Sequence, residues 1–359
     1  MDRRTLLRNA ATLAAGVALA FGAHIIPAQA QQHPAAVEVP AFTLPPSDQL
    51  SEAAKAVLLR MRAARSPDFK GDLNKQRAFY QKYNDDRLAE MRRHFQTSED
   101  RVSLGGVAVD VVVPRAGIPS RNADRVLINV HGGAFMWGSG SGALVEAIPI
   151  AATAGIKVVT VDYRLTPENS YPAASEDVTA VYRALLKQYR PENIGIYGCS
   201  AGGIITAQSV AWIRKQGLPR PGAIGTLCGT GAGYGGDSAY LAGPTAESTP
   251  PPAGPPPHTL PTQYMAGVPA GDAAAYPLLS ETETRHFPPT LLLAGGRDFA
   301  VSALTLAHRR LAQTGVPSQL FLFDGLPHAF FVWPDMPESI EAYGVIARFF
   351  DQHLGGKRR

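Results

Sequence analysis

At 359 residues, 45% of them apolar, the chain is long enough for one large α/β domain or two ordinary ones with a sizeable core. Charged residues make up only 18% while Gly and Pro are plentiful, which excludes a coiled coil or a disordered polypeptide and favours a loop-rich enzyme. The formal net charge of +4 falls to +2 once the three arginines and one aspartate of residues 1–30 are set aside, too small a surplus to argue for a nucleic-acid or acidic partner.

Those first thirty residues, MDRRTLLRNAATLAAGVALAFGAHIIPAQA, have a basic start, an apolar middle from about Leu13 to Ile26 and a small-x-small end at Ala28-Gln29-Ala30. This is the pattern of a removable export signal. Arg3-Arg4 before Thr5-Leu6-Leu7 resembles a twin-arginine signal, with an ordinary secretory signal as the alternative. The apolar run is interrupted by His24 and Pro27 and falls short of the ~20 residues that span a bilayer. A periplasmic or secreted mature chain without an integral membrane segment is therefore expected.

Residues 31–47 are polar and Pro-rich and read as a linker. Two helical patterns follow, Asp48–Arg65 and Asn74–Phe95; in the second, Phe79, Tyr80, Tyr83, Leu88 and Met91 share a face. That face is expected to pack, with contact to substrate possible only at a pocket rim. From Arg101, RVSL-GG-VAVDVVVP predicts a β-hairpin turning at Gly105-Gly106. Thereafter strands over Val126–Val130, Lys157–Tyr163, Asn193–Tyr197, Ala223–Cys228, Thr290–Ala294 and Gln319–Phe323 alternate with helices. The helices are expected near Ala143–Ala154, Ala173–Tyr189, Ala201–Lys215, Ser302–Thr314 and Glu338–His353. Continuous apolar strands between helices predict a mostly parallel sheet covered on both faces, an α/β fold over residues 101–359. The alternation fails at 230–287, where TPPPAGPPPHTLP suits neither regular element; a lid over the strands' C-terminal ends is the expectation. The closing Lys357-Arg358-Arg359 reads as a solvated tail.

The chemistry concentrates in four stretches. Gly198-Cys199-Ser200-Ala201-Gly202 fits G-x-S-x-G, a weak pattern alone, but it fills the turn between the strand NIGIYG and the helix AGGIITAQSVAWI. Glycines two before and two after the serine permit a tight turn that holds the Ser200 hydroxyl at the strand's end. A serine needs a base and an orienting carboxylate. Of the downstream histidines, His258 lies in the Pro-rich stretch, His286 at the wrong end of a strand, and His308 and His353 within helices. His328, in FLFDGLPHAFF, follows the last strand and is the expected base. Asp298, directly after PTLLLAGG, is the expected acid, ahead of Asp324, whose Asp-Gly pair is an ordinary turn signal. Fourth, His131-Gly132-Gly133-Ala134-Phe135 follows the strand VLINV. The amides of Gly132 and Gly133, with Ala201, are expected to form an oxyanion hole. Two cysteines, Cys199 and Cys228, make neither a disulfide framework nor a metal cage.

In order along the chain, HGGAF, DYRLTPENSYPAASED (162–177), YGCSAGG, PPTLLLAGGRD and LPHAF resemble the hormone-sensitive-lipase-like branch (bacterial family IV) of the α/β-hydrolase esterases, from Val126 to the C-terminus. The resemblance implies an α/β-hydrolase fold with a sheet of about eight strands and a cap built partly from the N-terminal helices of 48–100 and the 230–287 insertion. It implies no cofactor and no metal, a small-molecule ester as substrate with a short or medium acyl chain, and the roles given above to Ser200, Asp298, His328, Gly132, Gly133 and Ala201. The 162–177 stretch would hold the loop beside the site. Two departures stand out: Ala134 replaces a third glycine, and Cys199 stands where the family commonly has aspartate, so whatever that aspartate holds must be arranged otherwise. Cys199 itself is expected to be a small buried filler, because the turn presents only its central residue. A serine carboxylesterase is the leading reading. An amidase, peptidase or acyltransferase on the same triad, or a non-catalytic binding protein on this fold, are the alternatives.

Overall fold

A computed structural model describes residues 36–355, apart from 253, 255–258 and 261. The expected export signal, the start of the linker, His258 and the basic tail lie outside the described residues. The predicted hairpin is β1 (Thr97–Leu104) and β2 (Val107–Pro114), antiparallel across a turn in which Gly105 and Gly106 take φ of 60° and 84°. Two successive residues at positive φ match the twist of paired strands, which is why the turn is Gly-Gly.

The central strands are β3 (Val126–Val130), β4 (Lys157–Val161), β5 (Ile194–Cys199), β6 (Ala223–Leu227), β7 (Thr290–Gly295) and β8 (Ser318–Phe323). Among the described residues these eight strands form one sheet in the order β1-β2-β4-β3-β5-β6-β7-β8, parallel from β4 to β8 and antiparallel at the β1–β2 edge. Strands β3, β5, β6 and β7 are buried throughout, as continuous apolar runs between two helical layers must be.

Helices α1 (Glu52–Ala63) and α2 (Leu73–His94) precede the sheet, and α3 (Ser141–Ala154), α4 (Ala173–Leu185) and α5 (Ala201–Lys215) connect its strands. Further on lie α6 (Asp237–Ala242), α7 (Glu281–Thr284), α8 (Val301–Gln313) and α9 (Pro337–His353). Side chains of β3 alternate between the layers: Ile128 and Val130 join the core under α4, α5 and α8, while Leu127 joins the core under α3 and α9. The aromatic face of α2 divides. Leu88 and Met91 are buried in the second core, whereas Tyr80 stacks on Trp137 with centroids 4.2 Å apart.

One expectation about the middle of the chain needs correcting. The stretch 230–287 is not structureless: it carries α6, α7 and short 3-10 turns. Leu260, Tyr264, Met265, Tyr276 and Leu278 are buried in the main core, and Tyr264 stacks on Phe135 at 4.6 Å. Its second half is therefore a wall of the domain, anchored by aromatic burial, instead of a free lid. Among the described residues no helix is long and apolar enough to cross a membrane.

Candidate active site

Ser200 sits between β5 and α5 with φ 57° and ψ −122°, a conformation that non-glycine residues rarely adopt. The flanking glycines are sterically obligatory. A Cβ on Gly198 would lie 2.1 Å from the Val130 carbonyl oxygen, and one on Gly202 would lie 1.8 Å from the same atom. Only with both side chains absent can the turn press against β3 and keep the hydroxyl at the sheet's C-terminal edge.

Asp298 follows β7 and His328 follows β8, so both reach that same edge. The Asp298 carboxylate is buried and faces His328 Nδ1 from both oxygens, at 3.0 and 2.9 Å, while Oδ1 also accepts the Ala300 amide at 2.8 Å. Phe299 stacks on the imidazole at 4.4 Å, and Tyr234 meets Phe299 edge-on at 5.1 Å, which fixes the ring plane. Asp324, the rival acid, accepts instead from Ser47. His286 and His308 bond locally, to the Thr282 carbonyl and to Ser318. Of the histidines in the described residues, His328 is the one paired with a carboxylate.

β6 links Ser200 toward this pair. The Ser200 amide donates to Leu227, and the next residue, Cys228, has its Sγ within 4.8 Å of ligand atoms of Asp298 and His328. The Ser200 hydroxyl makes no hydrogen bond to the imidazole among the described residues. Such bonds are commonly long in unliganded hydrolases and tighten when substrate arrives.

The oxyanion loop lies alongside. Gly132 approaches the elbow so closely that an added Cβ would be 3.4 Å from the Ser200 Cβ. Gly133 takes φ 116°, and a Cβ there would be 2.1 Å from the Trp137 carbonyl oxygen. Ala134, at φ 51°, occupies the left-handed region where glycine carries no penalty. The back of the loop is tied to α2: Arg77 donates to the Met136 carbonyl at 2.9 Å, to the Thr166 carbonyl at 3.0 Å and to both oxygens of Glu168. Within 162–177, Asp177 accepts from the Arg164 amide and guanidinium.

The donor set differs from expectation in one member. The Gly132 N–H is donated to Glu146 Oε1 at 2.7 Å and so is not free to meet an oxyanion. The amides of Gly133 and Ala201 make no protein hydrogen bond among the described residues, and Ala201 is the first residue of the 15-residue helix α5, where amides and helix dipole both favour negative charge. Of the three expected donors, the amides of Gly133 and Ala201 are the two without a protein partner among the described residues.

Glu146 escaped the sequence reading. It is a single acidic residue in GALVEAIPIAA, an otherwise apolar run of α3, and that isolation was the available signal. Glu146 Oε2 accepts the Cys199 amide at 3.3 Å, while the Cys199 thiol is buried beside Cys228, its pKa pushed well up by burial. Both cysteines are free.

Burial pushes the Glu146 carboxyl up to about 7, against the Gly132, Asn129 and Cys199 donors and the field of His328. Tyr163, Tyr197, Cys199 and Cys228 also face it. Burial pushes His131, whose Nδ1 lies 2.6 Å from the Gly132 carbonyl oxygen, down to about 4. The two act with opposite sign. Glu146 binds its proton more tightly when folded, so its stabilising contribution is full below pH 4.5 and lost as pH rises through 7. His131 resists protonation when folded, so it costs stability as pH falls from 6.5 through 4. Each term is on the order of 3 kcal/mol, and they offset across the shared window. Urea midpoints of the wild type, differenced against Glu146→Gln, test this: the variant should gain stability relative to wild type as pH rises from 4.5 to 6.5. Identical pH profiles for the two proteins would count against it.

The family model of the alpha/beta hydrolase fold matches residues 127–332. The chain is 27% identical over 249 residues to an acetyl-hydrolase of Streptomyces hygroscopicus, covering 66% of this chain and 79% of that protein. It is 28% identical over 276 residues to the esterase LipU of Mycobacterium tuberculosis, covering 71% and 86%. Among solved structures, esterase E25 superposes with a TM-score of 0.76 at 27% identity, over 89% of this chain and 99% of that one. An esterase of the bacterial hormone-sensitive lipase family gives 0.71 at 25% identity, over 85% and 99%. The chain belongs to the alpha/beta hydrolase fold family and, within it, is similar over most of its length to esterases of the hormone-sensitive-lipase type.

Proposed function

We propose that this carboxylic ester hydrolase works through an acyl-enzyme on Ser200. His328 accepts the hydroxyl proton as Ser200 attacks the ester carbonyl, and Asp298 holds the Nδ1–H tautomer that leaves Nε2 free to do so. The amides of Gly133 and Ala201 receive the tetrahedral oxyanion. His328 then protonates the departing alcohol, and water, deprotonated by the same imidazole, releases the acid. The observation that carries this reading is the buried carboxylate of Asp298 facing His328 Nδ1 from both oxygens, next to a serine at positive φ on the N-terminus of α5.

Acyl chains of short to medium length are proposed. Similarity to a protein named acetyl-hydrolase supports this. Export is proposed on the basic, apolar and small-residue order of residues 1–30. Turnover of p-nitrophenyl acetate, butyrate and decanoate should fall in favour of the shorter esters, with a p-nitroanilide of the same acyl group slower by at least a hundredfold. A fluorophosphonate probe should label Ser200. Absence of both labelling and ester turnover would return the chain to the non-catalytic binding reading; comparable anilide turnover would make it an amidase.

A further inference from the structure

Glu146 is an expensive residue in its place. It is buried on α3 and pairs with no lysine or arginine among the described residues, and its hydrogen bonds come from N–H donors. Burying a carboxylate on such terms costs more than an apolar side chain of the same size. The fold must gain something that an apolar residue cannot supply.

Its three donors come from separate pieces of the site. Oε1 accepts the Gly132 amide of the oxyanion loop at 2.7 Å. Oε2 accepts the Cys199 amide, directly before the nucleophile, at 3.3 Å, and Asn129 Nδ2 of β3 at 3.2 Å. Asn129 is itself fixed by Thr160 Oγ1 at 2.7 Å. Gly132 makes the approach possible, since an added Cβ there would lie 3.3 Å from Glu146 Oε1 and 3.0 Å from the Cys199 carbonyl oxygen. The carboxylate thus links the chain just before Gly133 to the chain just before Ser200 and Ala201. Those are the two segments whose spacing sets the distance between the proposed oxyanion donors.

We propose that Glu146 is a positioning residue that fixes the oxyanion hole, its two carboxylate oxygens bridging the Gly132 and Cys199 backbone amides so that the Gly133 and Ala201 amides converge on one point. This rests on the acyl-enzyme reading. The reach of the side chain, not its charge, carries the role. A negative charge beside an oxyanion is unfavourable in itself, so a purely electrostatic function would point the other way.

Three variants separate reach from charge. Glu146→Asp keeps the charge but is one methylene short of bridging both amides. Glu146→Gln keeps the length and the acceptor for Gly132, and Asn129 can turn its amide over, but the new NH2 meets the Cys199 N–H, so one of the two bridges is lost. Glu146→Leu removes both acceptors at similar volume. The readouts are kcat/KM on p-nitrophenyl butyrate, affinity for a trifluoromethyl ketone that forms a serine-bound oxyanion, and affinity for butyrate, the product acid. Loss of one oxyanion donor typically costs ~10²–10³-fold, and a displaced donor part of that. Asp and Leu should therefore lose roughly 10–100-fold in both kcat/KM and ketone affinity, with butyrate affinity within about twofold. Gln, which keeps one bridge, should fall between wild type and Leu, losing roughly 3–10-fold in kcat/KM and ketone affinity with butyrate affinity little changed.

If Asp matches wild type while Gln falls with Leu, charge and not reach is the function and the inference is overturned. Unchanged ketone affinity in the folded fraction of Asp and Leu would overturn it too, leaving only a structural role. Should Leu fail to fold, the order of Asp and Gln decides alone. A wild-type enzyme without ester turnover or ketone binding would instead sink the acyl-enzyme reading on which this stands.

Discussion

Ser200→Ala is expected to lower kcat on p-nitrophenyl butyrate by roughly 10⁴–10⁶, while Cys199→Ala leaves it within about threefold. The contrast follows from what each residue contributes. Ser200 supplies the atom that bonds to the acyl carbon, and without it His328 has nothing to activate at that place. Alanine at φ 57° carries the same backbone strain, so the fold should not change. Cys199 contributes its amide, which donates to Glu146 and survives the substitution, and a thiol buried beside Cys228. Burial holds that thiol protonated, and no imidazole is hydrogen-bonded to it, so it is no substitute nucleophile. The cost of Cys199→Ala is a small cavity, about 1 kcal/mol of stability. Rates on purified variants, with thermal midpoints to show folding, decide the matter. A Ser200→Ala protein with a tenth of wild-type turnover would overturn the nucleophile, and a dead but folded Cys199→Ala would move it next door.

The parts of this molecule that could be read from the sequence are those where local pattern and global fold agree. β3 and α5 begin and end where the apolar run and the glycine turn place them, because β3 is buried throughout, its one polar residue Asn129 hydrogen-bonded inside, and the positive-φ Ser200 ends β5 where α5 starts. Asp298 and His328 were legible because parallel strands deliver their C-terminal loops to one edge, so position after a strand is already position in space. What could not be read was how hydrogen bonds are distributed once the chain is folded. HGGAF reveals where amides converge but not that Gly132 is committed to Glu146, since the partner lies on another element and looks like one acid in an apolar helix. The 230–287 stretch misled for a related reason. Its prolines interrupt the alternation of strand and helix, yet Tyr264 and Tyr276 bury aromatic rings from short turns and irregular backbone, and their hydroxyls accept the Ala174 and Leu260 amides. Periodicity cannot show burial without periodic structure.

Asp298→Asn should lower kcat by about 10⁴ near neutral pH with the fold intact, the second largest effect expected. The argument is one of tautomers. Asp298 Oδ1 accepts the Ala300 amide at 2.8 Å while both oxygens face His328 Nδ1, so the carboxylate requires a proton on Nδ1. An asparagine must keep its single oxygen toward Ala300, or leave that buried amide unpaired at a cost of about 1–3 kcal/mol. Its NH2 then faces Nδ1 and turns that nitrogen into an acceptor. The imidazole proton moves to Nε2, the nitrogen that has to take the proton of Ser200, and the base is disabled without any displacement of atoms. Phe299 still stacks on the ring and Asp324 stays with Ser47, so no neighbouring carboxylate rescues the tautomer. Steady-state kinetics at pH 7 with unfolding midpoints for both proteins test the point. A folded asparagine variant keeping more than a tenth of wild-type kcat would mean that Asp298 holds the loop and not the proton.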